Sequence, residues 1–143
     1  MLDDDEIDAE QNRCVAVIDL GLPAGKAANA AAVMALTMGA RHPHLVGEAL
    51  TDSLGNAHPG LIPIGIPVLG APVQDLPSIR GKAIQAGIEV VDFPVQGQQT
   101  NDYGEFRRMM SVTAPNDVQY LGVMLFGAKV GRIVGKYSLL RQP

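Results

Sequence analysis

Short apolar runs and longer helical patterns alternate along most of the chain. The runs end at turn residues, which predicts buried strands at Arg13–Asp19, Ile88–Phe93 and Val118–Phe126, and a last short strand or a tail at Tyr137–Leu140. Proline or polar residues at the start predict helices over residues 25–39, 75–86 and 102–111, with a short helix or turn over residues 127–134. Asn101 is the expected N-cap of the third helix. Strands that alternate with helices predict an α/β fold with a mixed sheet.

The middle of the chain is predicted to add a hairpin to this pattern. Val46–Thr51 and Ala57–Ile64 have the composition of strands, and Asp52–Asn56 between them suits a tight turn. The second strand is expected to continue through Leu61–Leu69, with one edge unpaired because its prolines cannot donate hydrogen bonds. Residues 1–11 are expected to be a flexible acidic segment and residues 12–143 a single domain.

Composition narrows the class of protein. Aromatic residues make up 4% of the chain, so the core must consist of Ala, Val, Leu, Ile and Met. Cys14 is the sole cysteine, which excludes an internal disulfide and favours a reducing compartment. The acidic start differs from a secretory signal, and the apolar run Leu61–Val73 is too short to span a membrane. A cytoplasmic protein without a membrane partner is therefore expected.

The net charge of −4 is unevenly distributed. The first ten residues hold six acidic side chains, and the rest of the chain has 11 basic against 9 acidic residues, a net charge of about +2. This pattern fits a solvated tail and scattered basic residues, or a weak surface for polyanions. Nucleic-acid binders are usually far more basic, so tRNA is a possible partner that the charge does not favour.

The stretch DLGLPAGKAANAAAVMA, residues 19–35, joins a strand to a helix through a glycine-rich turn. It is not a phosphate-binding P-loop, because three residues rather than four separate Gly21 from Gly25 and Ala27 replaces the magnesium-binding hydroxyl residue. The spacing of a dinucleotide fingerprint is also absent. Lys26 stands where the helix dipole favours anions, so it is either an anion contact or an exposed lysine.

Two parts of the chain resemble peptidyl-tRNA hydrolase II, the archaeal and eukaryotic-type enzyme. The first is the strand followed by Asp19-Leu20, Gly25-Lys26 and an alanine-rich helix; the second is Leu121–Leu140, which is similar to the closing Leu-Gly strand, helix and Val-x-Gly-Lys-Leu stretch of that family. The resemblance covers nearly the whole chain and implies a three-layer α/β/α sandwich with a mixed sheet. The added hairpin Val46–Ile64 and helix Asn101–Met110 are similar to an uncharacterised, mainly bacterial branch of that superfamily, domain of unknown function 2000.

The chain departs from the hydrolase pattern at the residues that matter for catalysis. The positions of the family's Gln, His, catalytic Asp, Arg and second Thr correspond to Ala30, Val33, Val95, Gln98 and Gln119. A shift of a few residues would instead place Asp92 or Asp102 at the catalytic position. Lys26, the loop glycine Gly97 and a shifted Thr100 are retained.

We expect a site where the loops after two strands, Gly21–Gly25 and Pro94–Asp102, meet, since ligands bind at the carboxyl ends of strands in such sheets. Lys26, Asp102 and Thr100 are the candidate catalytic residues, with Asp102 as general base or merely a helix cap. The candidate ligand-binding residues are Asp19, Gly25, Gly97, Gln98, Gln99, Tyr103 and Arg107.

No cofactor is expected. His42, His44 and His58 could in principle bind zinc, but no Glu or Asp near them completes a recognisable motif, so no metal site is predicted. Cys14 lies on a buried strand and is expected to be an inert thiol.

Three functions remain open. They are a homodimeric protein that binds a small anionic or peptide-like ligand beside Lys26 without the usual catalytic Asp, a peptidyl-tRNA hydrolase, and a non-enzymatic interaction module.

Overall fold

The computed structural model describes residues 12–141. The acidic segment 1–11, for which flexibility was the expectation, lies outside the described residues. Within residues 12–141 the chain forms seven strands and four α-helices. In chain order they are β1 (Arg13–Asp19), α1 (Ala24–Arg41), β2 (Leu50–Thr51), β3 (Ala57–His58), β4 (Val68–Ala71), α2 (Leu76–Gln85), β5 (Glu89–Pro94), α3 (Tyr103–Ser111), β6 (Tyr120–Gly127), α4 (Val130–Val134) and β7 (Ser138–Leu139).

Five of the strands form one mixed sheet in the order β5-β6-β1-β4-β7. β1 is parallel to β4 and antiparallel to β6, and β5 is antiparallel to β6. The strands β1, β4 and β5 therefore all end at one edge of the sheet, which we call the carboxyl edge. The predicted α/β class with a mixed sheet is confirmed.

Alternate residues of β1 pack into two separate hydrophobic cores, one on each face of the sheet. Cys14, Ala16 and Ile18 pack with residues of α1, whereas Val15 and Val17 pack with residues of α2 and α4. All five are at most 3% exposed, which explains why this strand is a continuous apolar run rather than an alternating one.

Helix α1 lies close to the sheet because its inward residues are small or flexible. Ala27, Ala30, Met34 and Met38 are buried at a spacing of three or four residues, which places them on one helical face. On the sheet, Gly122 leaves room for this contact, since a Cβ there would lie 3.0 Å from the Met34 Cε atom. The helix ends with Arg41, which forms an ion pair with Glu89 at the start of β5.

The predicted long strands between Val46 and Leu69 are wrong. Within residues 46–67 only Leu50–Thr51 and Ala57–His58 pair, as a two-stranded ladder around the correctly predicted turn Asp52–Asn56, while Val68 and Leu69 at the end of the predicted run belong to β4. Most of the remaining segment is irregular, and it packs against the α1-side core through Ile62 and Ile66. The apolar residues of this segment serve this packing and do not indicate the alternation of a β-strand.

Candidate functional site

A cavity of about 590 Å³ opens at the carboxyl edge, where β1 ends and α1 begins. Residues 20–24 and Ala27 form one side of it. Leu140 and Arg141 form the other side, because β7 pairs with β4 and brings the residues after it next to Leu20. Gly70 on β4 permits this contact, since a Cβ there would collide with the Leu20 side chain.

The first turn of α1 presents free backbone donors next to this cavity. Pro23 at the N-cap offers no side-chain hydrogen bond, and the first intrahelical bond runs from Ala27 N to Pro23 O at 2.9 Å. The N–H groups of Ala24, Gly25 and Lys26 therefore have no acceptor within the helix. Nothing lies within 4 Å of a Cβ built at Gly25, so the space beside this residue is open.

Two cations and one carboxylate surround this turn. Lys26 is exposed and Arg141 lines the cavity, and neither lies within 4.0 Å of a carboxylate among residues 12–141. Asp19 accepts a hydrogen bond from Gly21 N at 2.8 Å, which fixes the turn that leads into the helix. Arg141 is absent from the residues predicted from sequence. No local pattern marks it, because only the pairing of β7 with β4 brings it to the cavity.

Side chains of the second predicted loop cap helix α3. Asp102, not Asn101, is the N-cap: its Oδ1 atom accepts from Glu105 N at 3.2 Å. Thr100 Oγ1 accepts in turn from Asp102 N at 3.0 Å. The prediction of Asn101 as the cap is wrong because Asp102 lies three residues before the free Glu105 amide, which is the distance a capping side chain spans.

Of the remaining predicted residues of this loop and helix, Gly97, Tyr103 and Arg107 lie near the rings of Phe93 or Phe106. Gln98 and Gln99 belong to a 3-10 turn and its end, and a Cβ at Gly97 would lie 2.5 Å from the Phe93 ring. Tyr103 and Arg107 line a separate cavity of about 400 Å³ together with Phe106, whose ring stands edge-on to that of Tyr103.

The ten predicted residues therefore lie at one edge of the sheet, but in two separate groups, one at the start of α1 and one around the start of α3. Asp19, Gly25 and Lys26 are chain neighbours of residues that line the α1 cavity but do not line it themselves, and none of residues 97–107 lines it. Strand β6 separates β1 from β5 and so separates the two loops that follow these strands. Whether these residues act as a site stays a prediction.

The positions considered for a catalytic Asp all have other contacts. Asp92 accepts from Arg80 Nε at 2.8 Å, and it alternates with Val91 and Phe93, which pack on the α1 side, so its side chain faces the α2 side of the sheet. Arg80 also lies over the Tyr120 ring at 5.7 Å, and burial raises the pKa of that phenol. Val95 packs against the α1-side core.

The histidines occupy two places. The His42 and His44 rings contact Phe126, at centroid distances of 5.1 and 6.1 Å, while His58 is hydrogen-bonded to Asp52 at 3.0 Å. Among residues 12–141, no three His, Cys, Asp or Glu side chains are grouped so that they could hold a metal ion. Cys14 is 2% exposed, and burial raises the pKa of its thiol.

Fold and cavities define an α/β protein with a five-stranded mixed sheet and a cleft at its carboxyl edge. The chain belongs to the family described as "Protein of unknown function (DUF2000)", which matches residues 12–141. This confirms the predicted membership in domain of unknown function family 2000, whereas no finding connects the chain to the peptidyl-tRNA hydrolase II superfamily.

One solved structure supports the fold. It is a protein of unknown function, Atu0240, from Agrobacterium tumefaciens strain C58, with a TM-score of 0.81 and 18% identity, covering 90% of this chain and 96% of that one. At this identity the similarity shows the fold alone. No curated protein matches the chain. No helix among residues 12–141 is long and apolar enough to cross a membrane.

Proposed function

We propose that this protein binds a small anionic or peptide-like ligand in the cavity at the start of α1. The observation that carries the proposal is the uncapped first turn of an 18-residue helix opening on a cavity of about 590 Å³ that Arg141 lines. Free N–H groups and the helix dipole both favour an anion at this place.

The charges around the cavity support the same ligand class. Lys26 would be destabilising at a helix start unless an anion is nearby, because its charge opposes the dipole. Arg141 adds a guanidinium that can bind a carboxylate or a phosphate through two hydrogen bonds. A peptide group would bind through the free N–H donors of Gly25 and Lys26. Asp19 acts here by holding the turn through Gly21 N.

A titration with inorganic phosphate and with N-acetylglycine tests this proposal. The two probes share a negative charge, and N-acetylglycine adds a peptide group. We expect Lys26→Ala and Arg141→Ala each to weaken binding about tenfold, the value of one charged hydrogen bond. Lys82→Ala is the matched control, because Lys82 is exposed on α2, away from the cavity. If all three variants bind like the unchanged protein, the proposal fails.

A second candidate function is the hydrolysis of peptidyl-tRNA, favoured by Lys26 and Gly97. We further infer the three-layer α/β/α arrangement that this resemblance implies, which the two cores on either face of β1 support. Because Asp92 and Asp102 have other partners, we expect no release of peptide from N-acetylaminoacyl-tRNA above the uncatalysed rate. Hydrolysis that disappears in Lys26→Ala would instead favour the hydrolase.

We also propose a homodimer and a cytoplasmic location. The outer face of α1 carries Val33 and Leu36, which are 44% and 78% exposed and support a contact between two copies. A chain with a single cysteine has no internal disulfide, which fits a reducing compartment, where disulfides are rare. An interaction module without a ligand is the remaining alternative. It predicts that no binding is seen in the phosphate titration.

A further inference from the structure

A second cavity, of about 230 Å³, lies between α1, the sheet and residues 45–66. It is far from the proposed anion site, because Cys14 lines it near the start of β1 whereas Asp19 ends that strand. The strand between these two residues spans about 17 Å at 3.3–3.4 Å per residue. The cavity therefore needs its own explanation.

Apolar side chains form its lining. Met38 of α1 and Met124 of β6 form the inner part, and Leu45, Ile62 and Ile66 form the outer wall. No lining side chain carries a charge, and the Cys14 thiol is the sole polar side-chain group among the residues that line it. A charged ligand would lose its hydration here without gaining a partner.

The outer wall is held in place although it has little regular structure. Gly47 N donates a hydrogen bond to Leu61 O at 2.8 Å, and Gly60 crosses so close to the Gly47 carbonyl that any side chain there would collide with it. This crossing separates the exposed hairpin β2–β3 from the part of the segment that covers the cavity. The position of the outer wall therefore depends on the close contact between Gly47 and Gly60.

The cavity also has an entrance and an unfilled side. Val46 and Leu61 at its rim are 53% and 70% exposed, so solvent reaches an apolar opening. Gly39 lines the cavity from α1, and nothing lies within 4 Å of a Cβ built there. Glycine destabilises a helix relative to alanine, and protein interiors rarely keep voids larger than a water molecule. Both features fit a space kept open for a ligand.

We propose that this cavity binds a small, uncharged, apolar molecule, about the size of a substituted aromatic ring. An apolar cavity of about 150 Å³ stays dry and accepts benzene, so the larger space here has room for a few additional atoms. Methionine side chains adjust readily to the shape of such a ligand and make favourable contacts with aromatic rings.

The sole cysteine of the chain reports on occupancy, because Cys14 lines the cavity. The rate of its modification by methyl methanethiosulfonate is measured at alkaline pH, where the thiolate forms. Benzene at ten times its dissociation constant is expected to slow this reaction about tenfold, as occupied protein no longer reacts. Phenyltrimethylammonium has the same ring with a permanent charge at this pH and is expected to have no effect.

Variants show where the benzene binds. Gly39→Leu fills the cavity and is expected to abolish the protection of Cys14 by benzene. Gly81→Leu is the matched control, since Gly81 lies in α2 and also has nothing within 4 Å of its Cβ position; it is expected to keep the protection. Unchanged labelling of the unsubstituted protein in benzene, or full protection in Gly39→Leu, would overturn the proposal.

Xenon provides a measurement that needs no variant. In a crystal of the unsubstituted protein under xenon pressure, we expect a xenon atom between Met38, Met124 and Ile62. A crystal without xenon at this place would show that the cavity is closed to small apolar molecules.

Discussion

Single glycines decide how closely parts of this protein approach one another. At Gly97, a Cβ would lie 2.5 Å from Phe93 Cε1 and 3.0 Å from Phe106 Cε2, so two packed rings occupy the space of a side chain. The glycine retained from the hydrolase pattern therefore has a packing role in this chain. At Gly81, by contrast, a Cβ meets nothing within 4 Å.

These two positions make a matched pair of predictions. Gly97→Ala should lower the free energy of unfolding by about 1–3 kcal/mol, the usual effect of overpacking. Gly81→Ala should raise it by roughly 0.5–1 kcal/mol, because alanine favours the helix. Urea denaturation of both variants measures the changes. A neutral Gly97→Ala variant would mean that the Phe93 and Phe106 rings move aside at little cost.

At the scale of elements, the hairpin β2–β3 depends on one carboxylate at its turn. Asp52 accepts hydrogen bonds from Leu54 N and Asn56 N through Oδ1, at 3.0 and 2.9 Å, and contacts His58 through Oδ2. These contacts lower the pKa of Asp52 from 3.8 to about 2. The hydrogen bond to His58 is the main cause, and the backbone hydrogen bonds are a further cause.

The lowered pKa predicts how the hairpin responds to acid. Because the carboxylate is more acidic in the folded hairpin, its stabilising effect is complete above pH 3.8 and is lost as the pH falls through about 2. The amide proton shifts of Leu54 and Asn56 should report this titration by NMR, and Asp52→Asn should remove it. A midpoint near pH 3.8 would show that the hydrogen bonds do not persist in solution.

The same segment shows why some elements could be predicted and others not. β1 was predicted with its observed bounds because residues 14–18 are all apolar and buried on both faces, and the charged Arg13 and Asp19 mark its two ends. Residues 46–69 also hold alternating apolar positions, but their burial depends on where the irregular chain crosses itself at Gly47 and Gly60. Such crossings and the approach of Arg141 to Leu20 are contacts between distant residues, which no local pattern encodes.

For the molecule as a whole, the open question is what covers the outer face of α1. Exposed large apolar side chains on one helix are unusual when they are neighbours, and Val33 and Leu36 lie three residues apart on the same face. The small residues around them, Ala32 and Ala40, would let a second helix approach closely. A second copy of the chain supplies an identical face, and two-fold dimers, in which the same patch of both copies meets, are the commonest oligomers.

A change of Leu36 to glutamate tests the dimer directly. Light scattering after gel filtration should give the unchanged protein a mass of about twice 15.1 kDa and Leu36→Glu the mass of one chain, since a buried charge without a partner opposes association. Leu54→Glu is the control, because Leu54 is 88% exposed in the turn of the hairpin, away from α1. If the unchanged protein is a monomer, this face has another partner or none. If both variants remain dimers, the two copies meet through a different surface, and the exposed Tyr103 of α3 would be the next residue to change.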